Sequence, residues 1–200
     1  LGHDIEPPVP SLFTFNIKDR AFCDLMGTVV EPVVTTIPGT KLRAKGPLLV
    51  THWGVSGPAV LKLSSYAARL LAENDYKAPL AISWTGELTR QEVEENLLKL
   101  QTANPRKQVA TLHPFGLPSR LWLYILSKLD IDAVKPWAEI GRKTLNRMIE
   151  TLVNDQYTIA GKGAFREEFV TCGGVSLGSV NSKTLESKVC PNLFFAGEVL

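Results

Sequence analysis

Two hundred residues, 44% hydrophobic and 8% aromatic, are enough for one large or two small domains with a buried core. A net charge of +2, with 22 basic residues scattered among 20 acidic ones, gives no reason to expect nucleic acid or an anionic membrane as partner. The longest apolar runs, such as Leu121 to Leu126, fall far short of the ~20 residues of a membrane span.

The N-terminal Leu1-Gly-His-Asp-Ile-Glu lacks the basic and apolar regions of a signal peptide. Cys23, Cys172 and Cys190 are widely spaced and form no C-x-x-C, so the composition suits a reducing cytoplasm.

Residues 9 to 86 read mainly as strands: Leu12 to Ile17, Met26 to Ile37, Lys41 to Val50 and Leu80 to Trp84 are β-branched or alternating. Ile37-Pro-Gly-Thr-Lys41 marks a hairpin turn. One helix interrupts this set. Ser56 is a natural N-cap, Pro58 suits the first turn, and Val60, Leu63, Ala67, Leu70 and Leu71 keep a helical period.

From Leu88 the apolar period becomes helical throughout. Thr89-Arg-Gln-Glu92 is a capping box before Val93, Leu97, Leu98 and Leu100, and this helix should end by Asn104-Pro105. Pro118 to Leu129 predicts a second helix, and Pro136 to about Asn154 a third helical stretch with Gly141 as its candidate break. Trp84, Trp122 and Trp137 lie in apolar patterns and read as packing residues. Strand character returns at Glu168 to Thr171.

The chemistry-bearing segments lie at the C-terminal end and near residue 52. Leu193 to Ala196 predicts a short strand running into Gly197-Glu198, where a glycine admits a bulky ligand and an acid accepts hydrogen bonds from ligand hydroxyls. The bland reading is a strand ending in a solvated turn. Thr171-Cys-Gly-Gly-Val175 is a second glycine-rich turn after a strand, and dihedral freedom alone would also explain it. Cys172 has no partner nearer than Cys190 and reads as an inert buried thiol.

Ser56 with His52 invites a hydrolase reading, but the Gly-x-Ser-x-Gly elbow is absent and the N-cap role is preferred. His52 is the weak candidate for a proton donor or orienting group, with a hydrogen-bonded core histidine as the alternative. His3 and His113 stand alone, so no metal site is expected.

Three ordered blocks carry a family resemblance: Pro8 to Ile17, Lys45 to Tyr66 (with Thr51-His-Trp-Gly-Val-Ser-Gly-Pro58) and Val170 to Leu200. The chain resembles the HI0933-like flavoproteins, also called BaiN-type NAD(P)/FAD-dependent oxidoreductases. The resemblance implies an α+β fold, a small β-barrel-like module with an inserted α-helical subdomain. It implies that residues 1–86 are the β-rich part, 87–155 the helical subdomain, 156–169 the return to the β-rich part, and 170–200 a segment of an FAD-binding domain. It further implies FAD in a longer parent protein, with Thr171, Gly173, Gly174, Val175, Gly197 and Glu198 at the cofactor.

NAD(P)H is then a possible reductant, and the partners are the remainder of the FAD-binding domain and a small-molecule substrate. No Gly-x-Gly-x-x-Gly occurs in these residues, so the pyrophosphate site is expected elsewhere in the parent, and the chain alone is not expected to retain FAD. The implied role is a substrate-covering insert that excludes water from hydride transfer.

A non-catalytic nucleic-acid or protein binding module is the competing reading, with Lys41, Arg43 and Lys45, or Arg142, Lys143 and Arg147, as candidate patches. The low net charge and the lack of aromatics among these basics oppose it.

Overall fold

A computed structural model of the chain describes residues 1–163 and 170–200. Its centre is a closed barrel of six strands. These are β2 (Phe15–Ile17), β3 (Val29–Thr36), β4 (Arg43–Thr51), β5 (Gly54–Ser56), β6 (Ala78–Ser83) and β7 (Asp155–Lys162). They run in the order β2-β5-β4-β3-β6-β7, every neighbouring pair antiparallel. Closure leaves no free edge, which a short open sheet would have to protect.

Alternation fills the barrel. Asp155, Tyr157 and Ile159 of β7 are buried while Gln156 and Thr158 are exposed, and Leu48 and Val50 of β4 turn inward beside Phe15, Val33, Val55, Leu80 and Ile82. Thr40 N–H donates to the Ile37 carbonyl at 3.2 Å, the turn expected between β3 and β4.

Between β5 and β6 the chain forms α2 (Pro58–Tyr66) and α3 (Ala68–Glu73), and between β1 (Ile5–Ser11) and β3 the one-turn α1 (Arg20–Cys23). The single helix expected over 60–71 is thus two. Ala67, with φ −97° and ψ 7°, interrupts it while remaining fully buried. Ser56 is not the N-cap. It pairs with Leu49 as the last residue of β5, and Gly57 occupies the cap without a side-chain hydrogen bond.

The helical excursion leaves the barrel after β6 and returns at β7. It contains α4 (Arg90–Ala103), α5 (Ser119–Lys128) and α6 (Arg142–Asn154). Thr89 and Glu92 form the reciprocal capping box, and Gly141 separates a 3-10 turn at Trp137–Glu139 from α6. Val93, Leu97, Leu121, Trp122, Ile125, Leu145, Met148 and Leu152 are buried in the same contiguous apolar cluster as the barrel interior. Trp84, Trp122 and Trp137 all belong to it.

Three expectations need correction. The return to strand begins at Asp155, because β7 closes the barrel. Its alternating Tyr157, Ile159 and small Ala160-Gly161 gave a weak apolar run by themselves. Of the strand expected at Glu168 to Thr171, the first two residues lie outside the described residues; from Val170 the chain forms β8 (Val170–Val175), paired with β1 in a separate ribbon. Leu193 to Ala196 forms only an isolated bridge, Phe194 opposite Glu186, flanked by hydrogen bonds from Ser187 N–H to the Leu193 carbonyl (2.7 Å) and from Phe195 N–H to the Leu185 carbonyl (2.9 Å), a pairing too short to make a strand.

No helix among the described residues is long and apolar enough to cross a membrane.

Candidate cofactor-facing groove

The β1–β8 ribbon brings the glycine-rich turn against the N-terminal segment. Glu6 pairs with Gly174 and Val9 with Cys172, so Pro7 and Pro8 together oppose Gly173 in a β-bulge. Proline has no N–H for the ladder, which is why the register slips here. A Cβ on Gly173 would stand 2.6 Å from the Pro7 carbonyl oxygen, and one on Gly174 would collide with the Val199 carbonyl. Both glycines have positive φ, 119° and 140°. Their requirement for glycine is therefore met by the chain's own backbone, a cause that sequence reading assigned to a ligand or to a simple turn.

Gly173, Gly174 and Val175 also line a groove of about 330 Å³, together with Glu6, Arg69, Leu177 and Leu200. Thr171 is exposed on β8 opposite Pro10 and is not among the groove-lining residues. Val175 N–H donates to the Val199 carbonyl at 2.8 Å, tying the C-terminal residues to β8. Gly197 has φ 79°, with open space where a Cβ would stand, and Glu198 is exposed. The glycine-rich turn and the Gly197-Glu198 turn thus approach each other through Val175 and Val199.

His52 is elsewhere. It is exposed at the β4–β5 turn, edge-on to Trp53 with ring centroids 4.3 Å apart, so it is not a core histidine. It lines a separate hollow of about 500 Å³ with Lys18, Asp19, Arg20 and Cys23. Burial and the nearby Asp19 carboxylate push the Cys23 thiol up, which disfavours a reactive thiolate there. Ser56 is not among the residues of that hollow. A third cleft, about 580 Å³, lies between barrel and helical excursion, with Trp84, Phe115, Lys45 and Glu87 in its wall.

Glu6 and Arg69 were missed by sequence reading. Each is an ordinary charged residue in a segment without a motif, and only the pairing of β1 with β8 makes them neighbours of the glycines. Among the described residues no group of three or more His, Cys, Asp or Glu could hold a metal ion.

The family model for the HI0933-like protein barrel and H2TH domain matches residues 9–170. The chain belongs to the HI0933-like family. Within the described residues that match takes in the whole barrel and the helical excursion, and it ends at the first residue of β8.

Two similar proteins carry the name ribosomal RNA dihydrouridine synthase. The one from Haemophilus influenzae is 30% identical over 100% of this chain and 47% of its own length. The one from Escherichia coli is 30% identical over 88% of this chain and 41% of its own. A third, the 3-dehydro-bile acid delta(4,6)-reductase of Clostridium scindens, is 26% identical over 100% of this chain and 49% of its own length. The chain thus spans about half the length of these HI0933-like relatives.

Proposed function

We propose that this chain is the barrel-and-helix part, with one edge of the cofactor site, of a longer FAD-dependent reductase. The observation that carries the reading is the groove that Gly173, Gly174 and Val175 share with the C-terminal Leu200, in a chain of the HI0933-like family with a reductase among its relatives. The residues fit such a group as one wall: a shallow, largely apolar groove, and beside it Gly197, where no side chain obstructs approach, and the exposed Glu198 carboxylate.

FAD bound there supplies hydride transfer between NAD(P)H and an organic substrate. Backbone groups of 173–175 would hold the ring, Glu198 would accept hydrogen bonds from ligand hydroxyls, and the barrel with its helical arm would cover the site and exclude water. Two relatives are named as dihydrouridine synthases and one as a delta(4,6)-reductase, and we extend reduction of an organic substrate to the parent of this chain.

Residues 1–86, 87–155, 156–169 and 170–200 are the proposed division into β-rich part, helical subdomain, return, and segment of the FAD-binding domain. The remainder of that domain would dock where Leu1, Ile5, Val189, Phe194 and Val199 leave apolar side chains exposed.

The test is direct. The full-length protein purifies yellow with about one FAD per chain. A folded, colourless protein that takes up no added FAD refutes the reading. An RNA substrate is a second reading, favoured by the names of two relatives against the low net charge of this chain. Retardation of ribosomal RNA by the full-length protein at physiological salt would support it, and saturation of a steroid enone without RNA binding would remove it.

A further inference from the structure

We infer that Arg69 is the cation of the flavin-ring site, placed to stabilise the negative charge that the ring gains on reduction, with Glu6 opposing it. This rests on the flavin reading above and adds to it a residue from a different element. Arg69 lies on α3, yet its side chain reaches across to β1. One guanidinium nitrogen donates to the Pro7 carbonyl at 3.1 Å, and the other lies 3.7 Å from a Glu6 carboxylate oxygen.

These contacts hold the charge in the groove that Gly173 and Gly174 line. The ion pair does not account for an arginine on stability grounds. The ion pair is long, both side chains are well exposed (43% and 59%), and exposed pairs of this kind contribute little. A guanidinium carries five N–H donors, so donors remain for a ligand after both contacts are made.

The rest of the groove is apolar or bare backbone: Gly173, Gly174, Val175, Leu177 and Leu200. Leu177 is 73% exposed and has no cover from the described chain. Glycine backbone and aliphatic side chains with one guanidinium among them suit a planar conjugated ring bearing acceptor oxygens. Hydride donation from a reduced nicotinamide moves two electrons and one proton to that ring. The nicotinamide becomes a cation and the ring gains one negative charge. A fixed guanidinium beside the ring favours that reduced form, and a carboxylate on the guanidinium weakens the effect.

The experiment measures the flavin midpoint potential of the full-length protein against a reference dye, together with flavin stoichiometry. Arg69→Met is expected to lower the ratio of reduced to oxidised flavin at fixed potential by about tenfold, equivalent to about 30 mV for a two-electron couple. Arg69→Lys keeps most of the wild-type potential. Glu6→Gln shifts the potential in the opposite direction to Arg69→Met.

Opposite signs are what a purely structural tie between α3 and β1 would not produce, since breaking the tie from either side would only lower the melting temperature. Wild-type potentials in both variants, at about one flavin per chain, overturn the inference and leave the cofactor reading standing. If Arg69→Met fails to fold, Glu6→Gln alone decides by the sign of its shift. A full-length protein that holds no flavin overturns the cofactor reading and this inference with it.

Discussion

Lys128, near the end of α5, places its ammonium 2.6 Å from a carboxylate oxygen of Asp155, the first residue of β7. Asp155 is 2% exposed, and it also accepts hydrogen bonds from the Trp84 indole N–H at 2.9 Å and the Tyr157 hydroxyl at 2.7 Å. The barrel and the helical excursion are joined through one buried carboxylate whose donors come from both. The network continues outward, with the Tyr124 hydroxyl donating to Asp19 at 3.2 Å.

Asp155→Ala should therefore lower stability by about 3–5 kcal/mol, because it strands two buried donors and an ammonium. Lys128→Met should cost less, about 1–3 kcal/mol, since the carboxylate keeps two neutral donors. Chemical denaturation of the purified chain measures both, and equal losses would show that the neutral donors contribute nothing.

The same cluster sets an alkaline limit. Burial, reinforced for Tyr157 by the Asp155 carboxylate, raises the phenols of Tyr124 and Tyr157 above the ordinary tyrosine value. A pKa raised in the folded state gives stability that is complete below the unfolded pKa of ~10 and is lost as pH rises beyond it. Unfolding free energy should fall with pH above about 10, and the double variant Tyr124→Phe with Tyr157→Phe should flatten that slope. Absorbance of tyrosinate, followed alongside, should show these two phenols ionising only as the protein unfolds.

Gly54 is a point where the barrel tolerates no side chain. Its φ is 150°, and a Cβ there would collide with the Phe15 carbonyl and stand 2.6 Å from the Ile17 nitrogen, across the β2–β5 seam. Gly54→Ala should cost about 2–4 kcal/mol through overpacking and strain. Gly141→Ala, with open space at its Cβ position, should change stability by less than about 1 kcal/mol. Denaturation midpoints that do not separate the two would mean that the seam relaxes freely.

Substitution of Glu198 by Ala in the full-length protein should weaken FAD retention by about 1–3 kcal/mol without unfolding it. The 200-residue chain alone should bind FAD too weakly to measure by flavin fluorescence, as its sequence holds no glycine-rich pyrophosphate turn. Saturable micromolar binding by this chain would mean that it carries its own cofactor site.

Local signals were legible where they were strong. The Thr89–Glu92 capping box, the Pro-Gly turn and the apolar stripes of α4, α5 and α6 all stand where the residues indicate. The barrel's closing strand and the β1–β8 ribbon were not legible, because both depend on pairing between distant segments. Residues 5–11 contain three prolines that hide a strand, and the strand in the returning segment was expected at Glu168 to Thr171 rather than at Asp155–Lys162, where pairing with β2 and β6 forms it. The site followed the same rule. Gly173 and Gly174 stood out by type, while Glu6 and Arg69 carry no local mark and join them only through tertiary pairing.

Because β7 sits between β2 and β6, the barrel cannot close until Lys162 has left the ribosome, long after the other five strands have emerged. During that interval β2 and β6 present unpaired edges, while α4, α5 and α6 can already form from local contacts. Closure of the barrel thus waits on the helical excursion, whose last helix, continuing straight from Asn154 into Asp155, delivers the strand that completes it.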